Sequence, residues 1–184
     1  MERRILSYKL FEEKETPELT QEQIRWLNTC AGERWELNPE TGLVDIDGNF
    51  RCDEQNLTDF KGVKFGTIRR NFYCHNNQLA SLDGAPKSVG GDFYCRYNQL
   101  TSLDGAPEKI GGTLYCSDNP VGYETLLAIY DLMKSGRSYT EALSQYWDQM
   151  TEEDKILMYG DNPDLSAEEK RGYELRDKAS SRIY

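Results

Sequence analysis

Histidine is almost missing from this chain: His75 is the only one among 184 residues. No Cys-x-x-Cys pair occurs either, so the ligand spacings of a structural zinc site are not available. No Ser or Cys nucleophile with an orienting acid stands beside His75, which removes the usual parts of a triad. Gly90-Gly91 and Gly111-Gly112 read as repeat turns and not as the strand-to-helix turn of a phosphate loop. No stretch approaches the roughly 20 apolar residues that a membrane-spanning helix needs, and Met1-Glu2-Arg3-Arg4-Ile5-Leu6-Ser7-Tyr8-Lys9 turns charged before a signal-peptide core develops. Cations are scarce as well. Against 32 Asp and Glu stand 22 Lys and Arg, a formal charge of −10, and a chain without a basic stripe is not expected to bind nucleic acid directly. These deficits set the expectation of a soluble cytoplasmic protein, non-enzymatic, with no metal and no cofactor. The one catalytic arrangement left open is a carboxylate pair such as Asp118 and Glu124, whose separation no sequence reveals.

What the chain does have is a sentence written four times. It reads Phe50-Arg51-Cys52-Asp53-Glu54-Gln55-Asn56-Leu57, then Phe72-Tyr73-Cys74-His75-Asn76-Asn77-Gln78-Leu79, then Phe93-Tyr94-Cys95-Arg96-Tyr97-Asn98-Gln99-Leu100, then Leu114-Tyr115-Cys116-Ser117-Asp118-Asn119-Pro120-Val121. The cysteines recur after 22, 21 and 21 residues. A fixed period of this size implies a solenoid, because one short unit cannot bury its apolar face without copies stacked on it. Phe-Tyr-Cys alternates in, out, in, the period of a strand. The Asn three places after each cysteine (Asn77, Asn98, Asn119, with Gln55 in the first copy) falls where the strand turns away, and a buried carboxamide there satisfies backbone groups that no ladder reaches. Gly62, Gly84 and Gly105 then allow tight geometry, and Pro86 and Pro107 fix φ on the return leg.

The same spacing places the outward residues in columns. Beside the cysteines the column reads Arg51, Tyr73, Tyr94, Tyr115; one residue on, Asp53, His75, Arg96, Ser117; the next, Glu54, Asn76, Tyr97, Asp118. Three tyrosines in register with arginine and histidine beside them form the rigid aromatic surface that interface hot spots favour. Arg51, Tyr73, His75, Tyr94, Arg96, Tyr97, Tyr115 and Asp118 are therefore the candidate binding residues. The plainer reading is that the rings only stack as cross-strand pairs, worth roughly 0.2–1 kcal/mol each. The cysteines occupy one inward column with Cα atoms about 5 Å apart. Their side chains point the same way, so they are read as small buried hydrophobes and not as disulfides.

Three segments follow. Residues 1–49 form an N-terminal cap, with a short element over Ile5–Glu12, a helix over 21–31 opened by Thr20 and Gln23, Trp35 in the cap, and a strand or hairpin around Val44. Ile24, Leu27 and Cys30 share one face of that helix, with Trp26 beside them. Residues 50–121 hold the repeats. Residues 122–184 form a C-terminal helical cap or interaction region, with helices from Tyr123 to Lys134, after Ser138, after Thr151 as far as Asn162-Pro163, and after Ser166; the first two close the sheet and the tail frays from Lys178. The repeats carry 8 basic and 8 acidic side chains, whereas the flanks carry 6 against 11 and 8 against 13. Acidic helices of this kind most simply serve solubility.

The repeat resembles the leucine-rich repeat, L-x-x-L-x-L-x-x-N-x-L, with Phe, Cys and Leu at the strand and turn positions. More narrowly, Asn98-Gln99-Leu100-Thr101-Ser102-Leu103-Asp104-Gly105-Ala106-Pro107 with Ile110-Gly111-Gly112, and the lead-in Trp35-Glu36-Leu37-Asn38-Pro39, look like the short repeat proteins often carried by bacteriophages and prophages. The fold this implies is an α/β repeat: a short leucine-rich-repeat solenoid with a parallel sheet, an N-terminal helical cap and C-terminal helices. The function it implies is a protein-binding module directed at a bacterial host protein, such as a defence factor, through the concave sheet and the acidic helices. The alternative is a structural or assembly protein that self-associates or decorates a larger particle. Some pathogen effectors of this repeat class append a cysteine-dependent ubiquitin ligase, but no cysteine follows Cys116.

Overall fold

A computed structural model describes residues 18–180. The element expected over Ile5–Glu12 lies outside the described residues. Helix α1 (Gln21–Ala31) opens on the expected capping box: Thr20 Oγ1 accepts the Gln23 N–H at 3.2 Å while Gln23 Oε1 accepts the Thr20 N–H at 2.9 Å. Its buried face is Trp26, Leu27, Cys30 and Ala31, whereas Ile24 is only half-buried. Trp26 is thus the centre of the cap and not its margin: its ring meets Phe50 edge-on at 5.3 Å and closes the first coil. Strands β1 (Trp35–Leu37) and β2 (Val44–Ile46) form the hairpin, antiparallel with Trp35 opposite Ile46.

From there the strands alternate between two parallel sheets. The front sheet holds β3 (Phe50–Arg51), β5 (Phe72–Tyr73), β7 (Phe93–Tyr94) and β9 (Leu114–Tyr115), and the back sheet continues β1 and β2 through β4 (Phe65–Ile68), β6 (Ser88–Val89) and β8 (Lys109–Ile110). The sequence alone leads to the expectation of one parallel sheet. The return leg is also a strand in each coil, and Gly90-Gly91 and Gly111-Gly112 leave that back sheet. A Cβ on Gly111 would stand 2.3 Å from the Gly90 carbonyl oxygen, so only glycine lets successive coils approach this closely.

Between the sheets the coils stack like on like. Phe50, Phe72 and Phe93 lie nearly parallel at 5.3 and 5.4 Å, all fully buried, and each such ring removed from water contributes about 1.5–3 kcal/mol. Cys52, Cys74, Cys95 and Cys116 are wholly buried and unpaired, and the Cys52 and Cys74 thiols donate to the Tyr73 and Tyr94 carbonyls of the next coil. Each asparagine joins two coils. Asn98 Nδ2 donates to the Cys95 carbonyl of its own coil and the Cys74 carbonyl of the previous one, both at 3.0 Å, while its Oδ1 accepts the Leu79 N–H at 3.0 Å. Asn77 and Asn119 repeat the pattern. The first copy has no previous coil, and its longer Gln55 turns to the helix, accepting the Trp26 indole N–H at 2.8 Å.

At the far end α2 (Tyr123–Lys134) and α3 (Tyr139–Tyr146) bury Leu126, Ile129, Ala142 and Leu143. A short 3-10 turn (Trp147–Gln149), α4 (Glu152–Met158) and α5 (Ala167–Ser180) follow. Helix α4 stops before the expected Asn162-Pro163, where Asn162 instead caps the next turn by accepting the Asp164 N–H. Helix α5 continues past Lys178, where fraying was expected. Asp154 of α4 is buried and accepts from the Gly122 N–H at 2.8 Å and from the Thr125 hydroxyl, tying α4 to the start of α2.

Two outcomes follow from this interior. Asn98→Ala leaves the Leu79 N–H buried without its acceptor, and urea melts should show a loss of about 2–3 kcal/mol. Burial pushes the thiols of Cys52, Cys74 and Cys95 well above their ordinary value and that of Cys116 up to about 12. Because the folded form holds the proton more tightly, this stabilisation is complete below about pH 8.5, the ordinary thiol value, and declines as the pH climbs through the folded values. A disulfide dye at pH 8 should therefore leave these four thiols untouched until denaturant is added.

Candidate functional site

The front face is built by strands only two residues long, so each contributes one outward side chain before the chain turns. Register places Arg51 beside Tyr73, Tyr73 beside Tyr94, and Tyr94 beside Tyr115. The rings stack at 4.7 Å with 9° between planes and at 4.5 Å with 6°. The Arg51 guanidinium lies 3.9 Å from the Tyr73 ring centre. Stacking and surface presentation thus coexist in one column.

A second ladder, not expected from the sequence, fixes the rings. Asn49 Oδ1 accepts the Asn71 N–H, Asn71 Oδ1 accepts the Asp92 N–H, and Asp92 Oδ1 accepts the Thr113 N–H at 2.8 Å. The free ends of these side chains hold the phenols: Asn71 Nδ2 donates to the Tyr73 hydroxyl at 2.8 Å, and the Tyr94 hydroxyl donates to Asp92 Oδ2 at 3.0 Å. Desolvation, followed by that bond to Asp92, raises Tyr94 to about 12. The signal was present, since Asn49, Asn71, Asp92 and Thr113 all stand three residues before the cysteine.

The structure divides the eight candidates. Arg51, Tyr73, His75 and Tyr94 are largely occupied with one another. Arg51 also faces Asp53 at 3.8 Å, and His75 Nε2 lies 4.0 Å from Asp53 Oδ2 with its ring 6.2 Å from both Tyr73 and Tyr94. Its Nδ1 is buried with no hydrogen-bond partner among the described residues. Of these four Arg51 is exposed and the three rings are half-buried, whereas Arg96, Tyr97, Tyr115 and Asp118 are all exposed. Among the described residues, Tyr97 at 50% and Tyr115 at 38% are, with Tyr123 at 40%, the large hydrophobic side chains that stand out of the surface. Tyr123 was not among the candidates; it opens α2 directly after the fourth coil. Coils three and four adjoin here, the Tyr97 N–H donating to the Ser117 carbonyl at 3.1 Å.

Tyr97 has a further property. The residue two places past the cysteine is left-handed in every coil, with φ of 58°, 54°, 53° and 56° at Glu54, Asn76, Tyr97 and Asp118. Asn and Asp tolerate that region, whereas a bulky ring does so at a cost of roughly 1 kcal/mol. Backbone strain carried by an exposed aromatic side chain points to use at the surface.

Asp118 and Glu124, the carboxylate pair left open above, are both exposed. A cleft of about 630 Å3 lies away from them, against the back sheet between Trp35, Asp45 and Arg69. Among the described residues no group of three His, Cys, Asp or Glu side chains is arranged to hold a metal ion, and no helix is long and apolar enough to cross a membrane. No family model, curated protein or solved structure matches the chain.

Tyr97→Asn, which gives the third coil the residue found in the second, should raise stability by roughly 1 kcal/mol in urea melts. A neutral or negative effect would show that the ring contributes packing that its exposure does not reveal.

Proposed function

We propose that this protein is a short leucine-rich-repeat-type solenoid that acts as a non-enzymatic protein-binding module, and that the C-terminal half of its front face is the docking surface. The observation that carries this reading is the contrast along one face. Hydrogen bonds and ion pairs engage the first two coils internally, while coils three and four and the start of α2 leave Tyr97, Tyr115 and Tyr123 projecting beside Arg96 and Asp118. Exposed aromatics held rigidly on a scaffold lose little entropy when they bind, which is the economy of a hot spot. The resemblance of the repeats to those carried by bacteriophages and prophages directs the search for a partner to bacterial host proteins, including defence factors. Host targeting rests on that resemblance alone.

Affinity capture from bacterial lysate, with Tyr97→Ala, Tyr115→Ala and Tyr123→Ala combined as the control, tests the surface. The three rings are already exposed, so the variant should fold with near-normal melting while the captured protein is lost, each anchor being worth about 1–2 kcal/mol of binding. Retention of the same partner at undiminished affinity would overturn the assignment.

A further inference from the structure

The tyrosine column has two ends, and the chain closes only one of them. At the N-terminal end the Arg51 guanidinium covers the open face of Tyr73 at 3.9 Å while Arg51 Nη1 reaches toward Asp53 Oδ1 at 3.8 Å. At the C-terminal end Tyr115 stacks on Tyr94 through one face, and among the described residues no ring or cation covers the other. Nor can the local chain supply one. From Ile110 to Met133 there is no Lys or Arg, while Asp118, Glu124 and Asp131 all fall in that stretch. Lys109, which borders the stretch on one side, lies in β8 of the other sheet; Lys134, on the other side, stands over Tyr130 at 5.8 Å, and Arg96 of the third coil stands over Tyr97 at 5.7 Å.

We propose that the uncovered face of Tyr115 receives an arginine side chain from a partner protein, with Asp118 and Glu124 supplying the negative field that draws it in. This rests on the reading of the front face as a docking surface and names the chemistry of what docks. Three features favour this occupant. A planar guanidinium stacks on a ring while its N–H groups point sideways to carboxylates, as Arg51 does at the opposite end, and a compact ammonium ion does this less well. A neutral aromatic group would gain nothing from the acidic surroundings. A second copy of this chain would bring its own excess of negative charge, −10 in all, against Asp118 and Glu124.

The test titrates blocked Gly-Arg-Gly, Gly-Lys-Gly and Gly-citrulline-Gly peptides into protein labelled on its tyrosine rings, followed by NMR. The arginine peptide should move the Tyr115 ring resonances saturably, the lysine peptide should bind roughly threefold more weakly, and the uncharged citrulline peptide should leave them still. Asp118→Asn with Glu124→Gln keeps the ring and suits the left-handed backbone at residue 118; it should weaken the arginine response about threefold. Tyr115→Leu should abolish the response of its neighbour Tyr94 to the arginine peptide. The proposal is overturned if Tyr115 does not move, if citrulline matches arginine, or if Tyr115 shifts with protein concentration alone, which would show a second copy covering it. If the captured host protein moves Tyr97 and Tyr123 but not Tyr115, the arginine assignment fails and the docking face survives. Capture that persists without all three rings removes the face itself.

Discussion

Everything in this fold depends on one spacing. Parallel strands hydrogen-bond only when they lie about 4.8 Å apart, so any residue that recurs at the coil period is placed directly on its own copy. A side chain at such a position must tolerate contact with itself. Phenylalanine and tyrosine do so by stacking, cysteine by being small, and asparagine because its amide donates one way and its carbonyl accepts the other. Two hydrogen-bonded ladders, Asn77-Asn98-Asn119 inside the turn and Asn49-Asn71-Asp92 beside the strand, bracket the stacked rings and hold the register. Charged residues are poor candidates for such columns, since like charges in register repel. The second outward column accordingly changes type at every rung, Asp53, His75, Arg96, Ser117.

A repeat also makes its ends the informative places. The first coil replaces asparagine by Gln55, and the longer side chain bonds to Trp26 of the capping helix where a previous coil would have been. The last coil replaces phenylalanine by Leu114 and hands the apolar interior to Leu126 and Ile129 of α2. The core is therefore closed at both ends by dedicated elements. Among the described residues, the tyrosine column outside it is closed by a cation or ring at one end only, by Arg51. That asymmetry, and not the column itself, is what the proposed docking surface rests on.

The solenoid was legible because its evidence is periodic: four cysteines at a fixed interval settle which residues turn inward, and Phe50, Phe72, Phe93 and Asn98 lie where that count puts them. Helix starts were legible at Thr20 and Ser138 because a capping box is a local, four-residue signal. The back sheet was harder to see. Its strands are two to four residues long, Ser88-Val89 and Lys109-Ile110 carry no aromatic alternation, and the adjoining glycines read as turns when they mark close coil approach. The site was legible as columns but not as a division between satisfied and free members. That division depends on which hydroxyl meets Asn71 or Asp92, on the left-handed backbone at Tyr97, and on Tyr123, which belongs to no repeat. None of these has a signature at the level of composition or period.

The most direct test of the stacked-coil account is the set of through-space contacts between aromatic rings in solution, measured by NMR on selectively labelled protein. The account requires Phe50 to contact Phe72 and Phe72 to contact Phe93, and Tyr73, Tyr94 and Tyr115 to form a second series in that order with no contact between first and third. Rings of the two series found in one cluster, or Tyr73 and Tyr115 in direct contact, would contradict it.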